Sequence, residues 1–545
     1  MAQEWWRGAV IYQIYPRSYQ DTTGSGVGDL PGITQRLEHV ARLGVDGIWL
    51  SPFFTSPMAD FGYDVADYRG IDPMFGTLED FDRLVARAHE LGLKVVIDQV
   101  YGHSSDRHPW FVESASSRDN PKADWYVWAD PRPDGTPPSN WLSVFGGNAW
   151  TWNSRRRQYY LHHFLKEQPA LNIHNPEVME QVKSDLRFWM DRGVDGVRLD
   201  AIRHASHNPD LRDNPPRKLP KGLPHGLPGN TYGMQQQSAS QIDDPILYRL
   251  AQELRSVLDD YPDRFAVAEV GGDNQLEIAA RLTDGPELLH TAYTFEFLRQ
   301  EEGGAITPAM VRDALETWED QPGASWPSWA FSNHDVVRTA SRSGEALSPD
   351  GFPQLAMAML LSLRGTAFIY QGEELGLTEV EVPFERLQDP FGIAMWPDYK
   401  GRDGCRTPMV WEETGPACGF SNTGDTWLPI PGDHHKLAVT RQEEDKDSML
   451  SFTRNFLRWR KQHPALLTGS IEFLDLPEPV LGFVREEGGE KLLCLFNLSA
   501  SEQRVPLFNM LVTDIHGQDQ TGLTGRVDGD NAVLPAWAGL IVGSE

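Results

Sequence analysis

The segment Gly193-Val194-Asp195-Gly196-Val197-Arg198-Leu199-Asp200 decides the fold. A helical pattern runs up to the first glycine, a short apolar run follows, and charged residues end it. Residues 44–52 and residues 93–98 repeat this plan. Apolar runs of this length between helices are typical of strands that are buried on both faces of a parallel sheet. The chain is therefore expected to alternate strands and helices.

Eight such runs occur along the chain. Eight strand–helix alternations predict an α/β fold, a (β/α)8 TIM barrel in which eight parallel strands close on themselves inside a ring of helices. One helix is predicted to start at a capping box of Thr77 and Asp80 and to end at Gly92. The predicted strands are residues 9–15, 44–50, 93–100, 193–200, 265–270, 290–297, 328–333 and 366–371.

Two parts of the chain lie outside this alternation. Residues 103–174 are rich in Trp, Pro and Asn and are too long for a loop, which predicts a small inserted domain after strand 3. After a last helical pattern over 447–466, apolar runs alternate with turns, and 487–490 (Glu-Gly-Gly-Glu) predicts a hairpin. We therefore divide the chain into a catalytic barrel (1–102 and 175–467), an inserted domain (103–174) and a C-terminal antiparallel β domain (468–545).

The composition excludes several classes of partner. The 545 residues carry 49 Lys and Arg against 78 Asp and Glu, a net charge of −29, which repels nucleic acid and anionic lipid. The sequence contains no apolar stretch long enough to cross a bilayer and no signal peptide. Three cysteines are too few for a disulfide framework and favour a reducing, cytoplasmic compartment. We expect neither a nucleic-acid partner nor a membrane.

Polar residues end four of the predicted strands, at the edge where such barrels carry their active sites. Carboxylates are costly to bury without partners, so their recurrence at strand ends indicates a site rather than packing. Three acids without a phosphate loop suit cleavage of a glycosidic bond, in which one carboxylate attacks the anomeric carbon and another protonates the leaving oxygen. The strand-end residues are Asp98, His103, Arg198, Asp200, Glu269 and the run Asn333-His334-Asp335.

Four segments in order along the chain resemble the signature segments of glycoside hydrolase family 13, the α-amylase superfamily. The opening, residues 5–18, resembles its α-glucosidase and oligo-1,6-glucosidase branch. Residues 168–172 (Gln-Pro-Ala-Leu-Asn) resemble that branch's fifth segment, with alanine in place of an aspartate. The four segments are Asp98-Gln99-Val100-Tyr101-Gly102-His103, Gly196-Val197-Arg198-Leu199-Asp200, Glu269, and Phe331-Ser332-Asn333-His334-Asp335.

The resemblance implies a role for each matching residue. Asp200 would be the nucleophile, Glu269 the general acid/base and Asp335 the stabiliser of the transition state. Asp60 and Tyr63 would grip the non-reducing glucose, and Arg402 would pair with Asp60 to close the pocket, which favours release of one terminal glucose. A purely structural ion pair is the alternative for Asp60 and Arg402. The remaining residues of the sugar pocket would be His103, Arg198 and His334.

Two further features bear on the substrate. Ala201 follows the nucleophile, and a small residue there resembles the members of the branch that prefer α-1,4 linkages. Residues 206–238 carry six prolines and predict a long, partly stiff loop over the mouth of the site. In similar enzymes such a loop restricts substrates to disaccharides and favours transfer to non-sugar acceptors. An irrelevant surface insertion is the alternative.

The loop 21–29 resembles the family's calcium or magnesium loop, although Thr23 and Ser25 replace two of its ligands. The loss of a carboxylate and an amide oxygen weakens a site for a hard cation, so a hydrogen-bonded turn without metal is the alternative. The ligand positions would be Asp21, Thr23, Ser25, Val27 and Asp29.

The sequence as a whole predicts a retaining, exo-acting α-glucosidase for short α-glucosides, with transglucosylation and without a required cofactor. A glucosyl transferase or a sucrose isomerase or hydrolase on the same scaffold is the alternative, because water and sugar acceptors compete for one intermediate. A non-catalytic sugar-binding subunit fits less well because the acids are all present. The linkage, the aglycone, the ratio of transfer to hydrolysis, salt activation and the oligomeric state stay open.

Overall fold

Eight parallel strands form the centre of the protein, as predicted. The structure is a computed structural model, and it describes residues 4–216, 241–298, 304–322, 325–345, 347–507, 512–516 and 521–544. We number the strands along the chain as β1 (Val10–Ile14), β2 (Gly47–Leu50), β3 (Lys94–Gln99), β4 (Gly196–Leu199), β5 (Phe265–Val270), β6 (Thr291–Thr294), β7 (Ser328–Trp329) and β8 (Thr366–Tyr370). Neighbouring strands follow the order β6-β5-β4-β3-β2-β1-β8-β7.

Side chains close the barrel where β6 meets β7. The Thr291 hydroxyl lies 2.6 Å from the carbonyl oxygen of Trp326 and 2.8 Å from the Ser328 hydroxyl. The strand β7 is only two residues long, so these contacts replace a backbone ladder. The prediction of a (β/α)8 barrel is thus confirmed, with shorter strands than the apolar runs suggested.

One long helix follows each strand and packs on the barrel. The helix Leu78–Glu90 starts at the predicted capping box, in which Thr77 and Asp80 bond reciprocally. The helix Leu30–Leu43 starts at Asp29, whose side chain accepts from the amide of Gly32. The other six are Pro176–Asp191, Asp244–Leu258, Gln275–Leu282, Pro308–Glu319, Phe352–Ser362 and Met449–Arg460, and the shorter α-helices are Pro109–Ser114, Pro390–Met395, Val439–Glu443 and Pro464–Thr468.

Small β-sheets occupy the two parts outside the alternation. In the inserted part, strands Trp128–Ala129, Gln158–Leu161 and Trp150–Asn153 form an antiparallel sheet. Near the C-terminus, strands Ser470–Phe473, Val480–Glu487, Glu490–Asn497, Gly539–Ser544 and Val512–His516 form a second sheet, and Gln503–Pro506, Asn531–Leu534 and Arg526–Asp528 form a third. The predicted hairpin is present, since Glu487 pairs with Glu490 across two glycines with positive φ.

Within the described residues, no helix combines the length and the apolar character needed to cross a bilayer.

Buried arginines fasten the C-terminal sheet to the barrel. Arg485 lies in the sheet and donates to the carbonyl oxygens of Ser362, Ser470 and Gly469 at 2.5, 2.9 and 3.0 Å. Ser362 is the last residue of a barrel helix, whose final carbonyls have no partner inside the helix. Arg485 therefore satisfies groups that this junction would otherwise bury unpaired.

We expect Arg485→Met to lower the free energy of unfolding by about 2–4 kcal/mol, because it leaves three carbonyl oxygens without their donor. Urea unfolding followed by circular dichroism measures this. Arg504→Met is the control, since Arg504 pairs with Asp528 at 3.0 Å on the exposed surface, where a pair contributes less than about 1 kcal/mol. Equal losses in the two variants would contradict the role given to Arg485.

Candidate active site

A cavity of about 1190 Å³, counted with its open mouth, lies at the C-terminal ends of the strands. Seven of the nine side chains predicted for catalysis and sugar binding line it, and the other two, Arg198 and His334, are fully buried directly behind them. The structure therefore brings all nine together, although they are spread over more than 300 positions of the chain. The seven lining residues are Asp60, Tyr63, His103, Asp200, Glu269, Asp335 and Arg402.

Sheet register explains why the central groups meet. In parallel pairing, Asp98 lies opposite Arg198, and Val267 on β5 lies opposite Arg198 on its other side. Residues at the same level of neighbouring strands project to the same face. The guanidinium of Arg198 consequently reaches carboxylates on either side of its own strand.

Arg198 is a fully buried cation surrounded by carboxylates. Its Nη1 donates to Asp98 and to Asp200, each at 2.6 Å. Its Nη2 lies 2.6 Å from Oε1 of Glu269. A planar guanidinium spreads its donors over three nitrogens in a fixed geometry, whereas a lysine has a single donor nitrogen.

A strained turn delivers Asp200 into the cavity. Ala201, the next residue, has the left-handed angles φ 38° and ψ 46°, which are uncommon outside glycine and cluster at functional sites. Its amide donates to Oε2 of Glu269 at 2.8 Å. The turn therefore places the carboxylate of Asp200 at the cavity and donates a hydrogen bond to the carboxylate of Glu269.

Burial and mutual repulsion shift the pKa values of the carboxyl groups around Arg198. Burial raises the pKa of Asp200 well above its usual value, Arg198 opposes this, and the charges of Glu269 and Asp98 add to it. Burial also raises the pKa of Asp98 to about 6, against the opposing charge of Arg198. One guanidinium does not neutralise three buried carboxylates, so burial and mutual repulsion favour the protonated forms of Asp200 and Asp98.

Asp335 also lines the cavity and lies among cations. Arg406 Nη2 donates to its Oδ1 at 2.9 Å and Arg402 Nη1 donates to the same oxygen at 3.2 Å. Burial raises the pKa of Asp335, but His334, Arg402 and Arg406 together hold it below its usual value. Asp335 is therefore ionised throughout the physiological range.

The two predicted histidines are neutral. Burial lowers the pKa of His334 to about 3 and that of His103 to about 4. His334 Nδ1 lies 2.7 Å from the amide nitrogen of Gln13 and therefore accepts its hydrogen, so Nε2 carries the proton and faces Tyr63 Oη at 2.5 Å. The rings of His334 and Tyr63 are stacked, with centroids 5.4 Å apart.

The predicted pair of Asp60 and Arg402 is present, with Arg402 Nη2 donating to Asp60 Oδ1 at 2.9 Å. Asp389 anchors the same guanidinium, accepting from Nε at 3.1 Å and from Nη2 at 2.8 Å. Gln168 donates to the other oxygen of Asp60 at 3.0 Å. Burial raises the pKa of Asp60 to about 6, against the opposing charge of Arg402.

Sequence reasoning missed part of the site. Arg406 and Asp389 follow no predicted strand, and Tyr293 lies on β6, where no strand-end residue was singled out. The apolar wall of the cavity was missed too, because aromatic residues in loops resemble core residues in a sequence. This wall comprises Val144, Phe145, Phe164, Phe295, Leu298, Val336 and Phe391.

The 21–29 loop is a hydrogen-bonded turn that Ser421 ties to a distant part of the chain. Oδ1 of Asp21 accepts from the amides of Thr23 and Gly24 at 2.9 Å each, and Oδ2 accepts from the amide of Gly26 at 2.8 Å and from Ser421 Oγ at 2.7 Å. Asp29 is engaged as a helix cap. Among the described residues no group of three or more His, Cys, Asp or Glu side chains is placed to hold a metal. These oxygens fit hydrogen-bond donors better than a hard cation.

The loop predicted over 206–238 lies largely outside the described residues, which omit 217–240. Its position over the mouth stays a prediction. Ala201, in contrast, lines the cavity directly.

Comparison with known sequences agrees with this geometry. The sequence profile of the family described as "Alpha amylase, catalytic domain" matches residues 13–469. A "Probable alpha-glucosidase" of Rhizobium meliloti is 51% identical over 540 residues, which are 98% of this chain and 96% of the relative. An "Oligo-1,6-glucosidase" of Heyndrickxia coagulans is 39% identical over 532 residues, covering 91% of this chain and 92% of the relative.

Solved structures are similar over the whole chain. The alpha-glucosyl transfer enzyme XgtA is 50% identical, with a TM-score of 0.96 and full coverage of both chains. The isomaltulose synthase SmuA of Protaminobacter rubrum is 29% identical, with a TM-score of 0.89 and full coverage of both chains.

We expect Arg402→Lys to destabilise the fold by about 3–5 kcal/mol at neutral pH, because a single ammonium nitrogen cannot span the three buried carboxylates that Nε, Nη1 and Nη2 of the guanidinium reach. The loss should shrink as the pH falls through about 6, where Asp60 takes up a proton and needs the cation less. Thermal unfolding at several pH values measures both effects. Arg441→Lys, at an exposed pair with Glu413, is the control. A loss that grows on acidification would contradict this account of Asp60.

Proposed function

Because the chain belongs to the α-amylase family of glycoside hydrolases, we propose that it is a retaining, exo-acting α-glucosidase. It would release glucose from the non-reducing end of short α-glucosides and transfer it to other acceptors as well. The observation that carries the proposal is the group formed by Arg198, Asp200 and Glu269 in one cavity, with Asp200 and Glu269 exposed to it and the cation behind them.

In the first half of the reaction, Asp200 attacks the anomeric carbon and Glu269 gives its proton to the departing oxygen. The Arg198 contact at 2.6 Å favours the ionised nucleophile. Asp335, ionised between two arginines, is suited to bind sugar hydroxyls and the positive charge that develops at the ring.

In the second half, ionised Glu269 takes a proton from water or another hydroxyl, whose oxygen attacks the same carbon and displaces Asp200. Two inversions give net retention. The apolar wall of the cavity includes Phe145, Phe164 and Phe295. Such a wall favours acceptors other than water, which supports transfer alongside hydrolysis.

The closed end of the pocket supports action on terminal glucose. Asp60 and Arg402 pair at its end at 2.9 Å, and Phe145 lies over the same guanidinium at 5.1 Å. A longer glucan would have to displace this pair and leave buried charges uncompensated. The small side chain of Ala201 in the cavity supports a preference for α-1,4 linkages, as the resemblance implies.

Several further expectations belong to the same proposal. The oxygens of the 21–29 loop are satisfied by the protein's own donors, so no cofactor and no Ca²⁺ or Mg²⁺ is required there. The three cysteines are free and buried, in keeping with the cytoplasm. The partner is a small oligosaccharide, and the charge of −29 argues against nucleic acid.

Turnover on maltose, isomaltose, nigerose, kojibiose, trehalose, sucrose and maltotriose tests the proposal. We expect maltose to be preferred and NMR to show α-glucose as the first product. Addition of an alcohol separates hydrolysis from transfer, and sucrose separates an α-glucosidase from an isomerase. Preference for maltotriose or longer chains would refute the closed pocket, and β-glucose as the first product would refute retention.

Asp200→Asn should lower kcat by at least about 10⁴-fold, because the amide cannot form the glucosyl–enzyme bond. Circular dichroism should show an intact fold. Asp313→Asn, at an exposed residue of the barrel helix Pro308–Glu319, is the matched control and should keep full activity. Substantial activity of a folded Asp200→Asn variant would rule out Asp200 as the nucleophile.

A further inference from the structure

Tyr293 is a buried phenol behind the catalytic carboxylates. It lies on β6 directly opposite Glu269 of β5 in the parallel register. Its ring packs against Trp49 and Phe368, with centroids 6.3 and 6.0 Å away. It is 2% exposed and does not line the cavity, so any effect on the reaction must act through a neighbour.

The Tyr293 hydroxyl makes two hydrogen bonds, and their donor and acceptor roles are fixed. Arg198 Nε lies 3.1 Å from it and has only a hydrogen to offer, so the oxygen accepts there. Its single hydrogen is then left for Oε1 of Glu269, also at 3.1 Å. Burial raises the pKa of Tyr293 well above its usual value, so the hydrogen is present at every working pH.

The oxygens of Glu269 are thereby held on both sides. Oε1 accepts from Tyr293, and Oε2 accepts from the amide of Ala201 at 2.8 Å. A hydrogen bond donated to a carboxylate stabilises its ionised form. The two halves of the proposed reaction need opposite forms: the protonated acid expels the aglycone, and the carboxylate activates water.

We propose that Tyr293 is a positioning residue for the second half of the reaction, in which its hydroxyl holds Glu269 as the ionised base. This inference rests on the proposed function. In that half, Glu269 takes a proton from water, the water oxygen bonds to the anomeric carbon, and the bond to Asp200 breaks with its electron pair on the carboxylate. Without the phenol hydroxyl this step slows, whereas expulsion of a good leaving group does not.

Tyr293→Phe, measured with 4-nitrophenyl α-D-glucoside, tests the proposal. Nitrophenolate leaves without full protonation, so kcat/KM, which reports the first half, should stay within about threefold of wild type. We expect kcat and KM to fall together by about tenfold, the size of one hydrogen bond to a charged group. A burst of nitrophenol should precede the steady state, and the acid limb of kcat should move to higher pH.

Azide provides a second readout. It attacks the glucosyl–enzyme as an anion, forms a glucosyl azide and returns Asp200 as the carboxylate without any proton transfer. We expect azide to restore kcat in Tyr293→Phe and to change the wild type little. This rescue would not follow from a merely structural defect.

Tyr12→Phe is the matched control. Tyr12 is also buried in the barrel and donates to a buried glutamate, Glu374, at 2.8 Å, but it does not line the cavity. A similar drop in the unfolding midpoint is expected in both variants, with a kinetic change only in Tyr293→Phe. KM, the position of the acid limb of the kcat–pH profile and the restoration of kcat by azide do not depend on how much of a variant is folded.

The outcomes separate the two claims. In one outcome, the wild type turns over the glucoside with retention, while Tyr293→Phe shows no fall in KM, no shift of the acid limb of the kcat–pH profile and no restoration of kcat by azide. In that case the role given to Tyr293 is wrong and the proposed function stands. If the wild type turns over no α-glucoside, both are wrong.

Discussion

The buried guanidinium of Arg198 is the constraint on which the site depends. It is fully enclosed, and it reaches Asp98 and Asp200 at 2.6 Å each. Removal of the cation or of a carboxylate would leave the partner unpaired in a medium of low dielectric constant. The free energy lost in this way exceeds the net stabilisation that the ion pair itself contributes. Asp200 is therefore held in place by the same cation that compensates the other buried carboxylates at this end of the barrel.

A second group of cations surrounds Asp335, another carboxylate of the cavity. Arg402 and Arg406 converge on Asp335, and Arg402 continues to Asp60 and Asp389. The two centres differ in their effect, since the carboxyls around Arg198 outnumber their cation whereas Asp335 is outnumbered by cations. Charge balance therefore favours protonated carboxyl groups around Arg198 and an ionised carboxylate at Asp335.

Much of the site was predictable because a barrel brings the carboxyl ends of all its strands together at one rim. Asp98, Arg198, Glu269 and Asp335 each end a short apolar run, and parallel strands present such ends at one rim. Arg406, Asp389 and the aromatic wall belong to long connections whose path no local pattern encodes. The short strands of the C-terminal part, such as Arg526–Asp528, were missed because three residues carry too little alternation to be distinguished from a loop.

The sequence by itself determined the order of strands and helices, the barrel and the identity of the acids, because burial on both faces of a parallel strand leaves an unbroken apolar run. Only the tertiary structure decided which of these acids share a cation, which hydroxyl donates to Glu269 and which oxygens of the 21–29 loop are already satisfied. Hydrogen-bond direction and charge balance depend on distances between residues far apart in the chain, and those distances exist only once the barrel has closed.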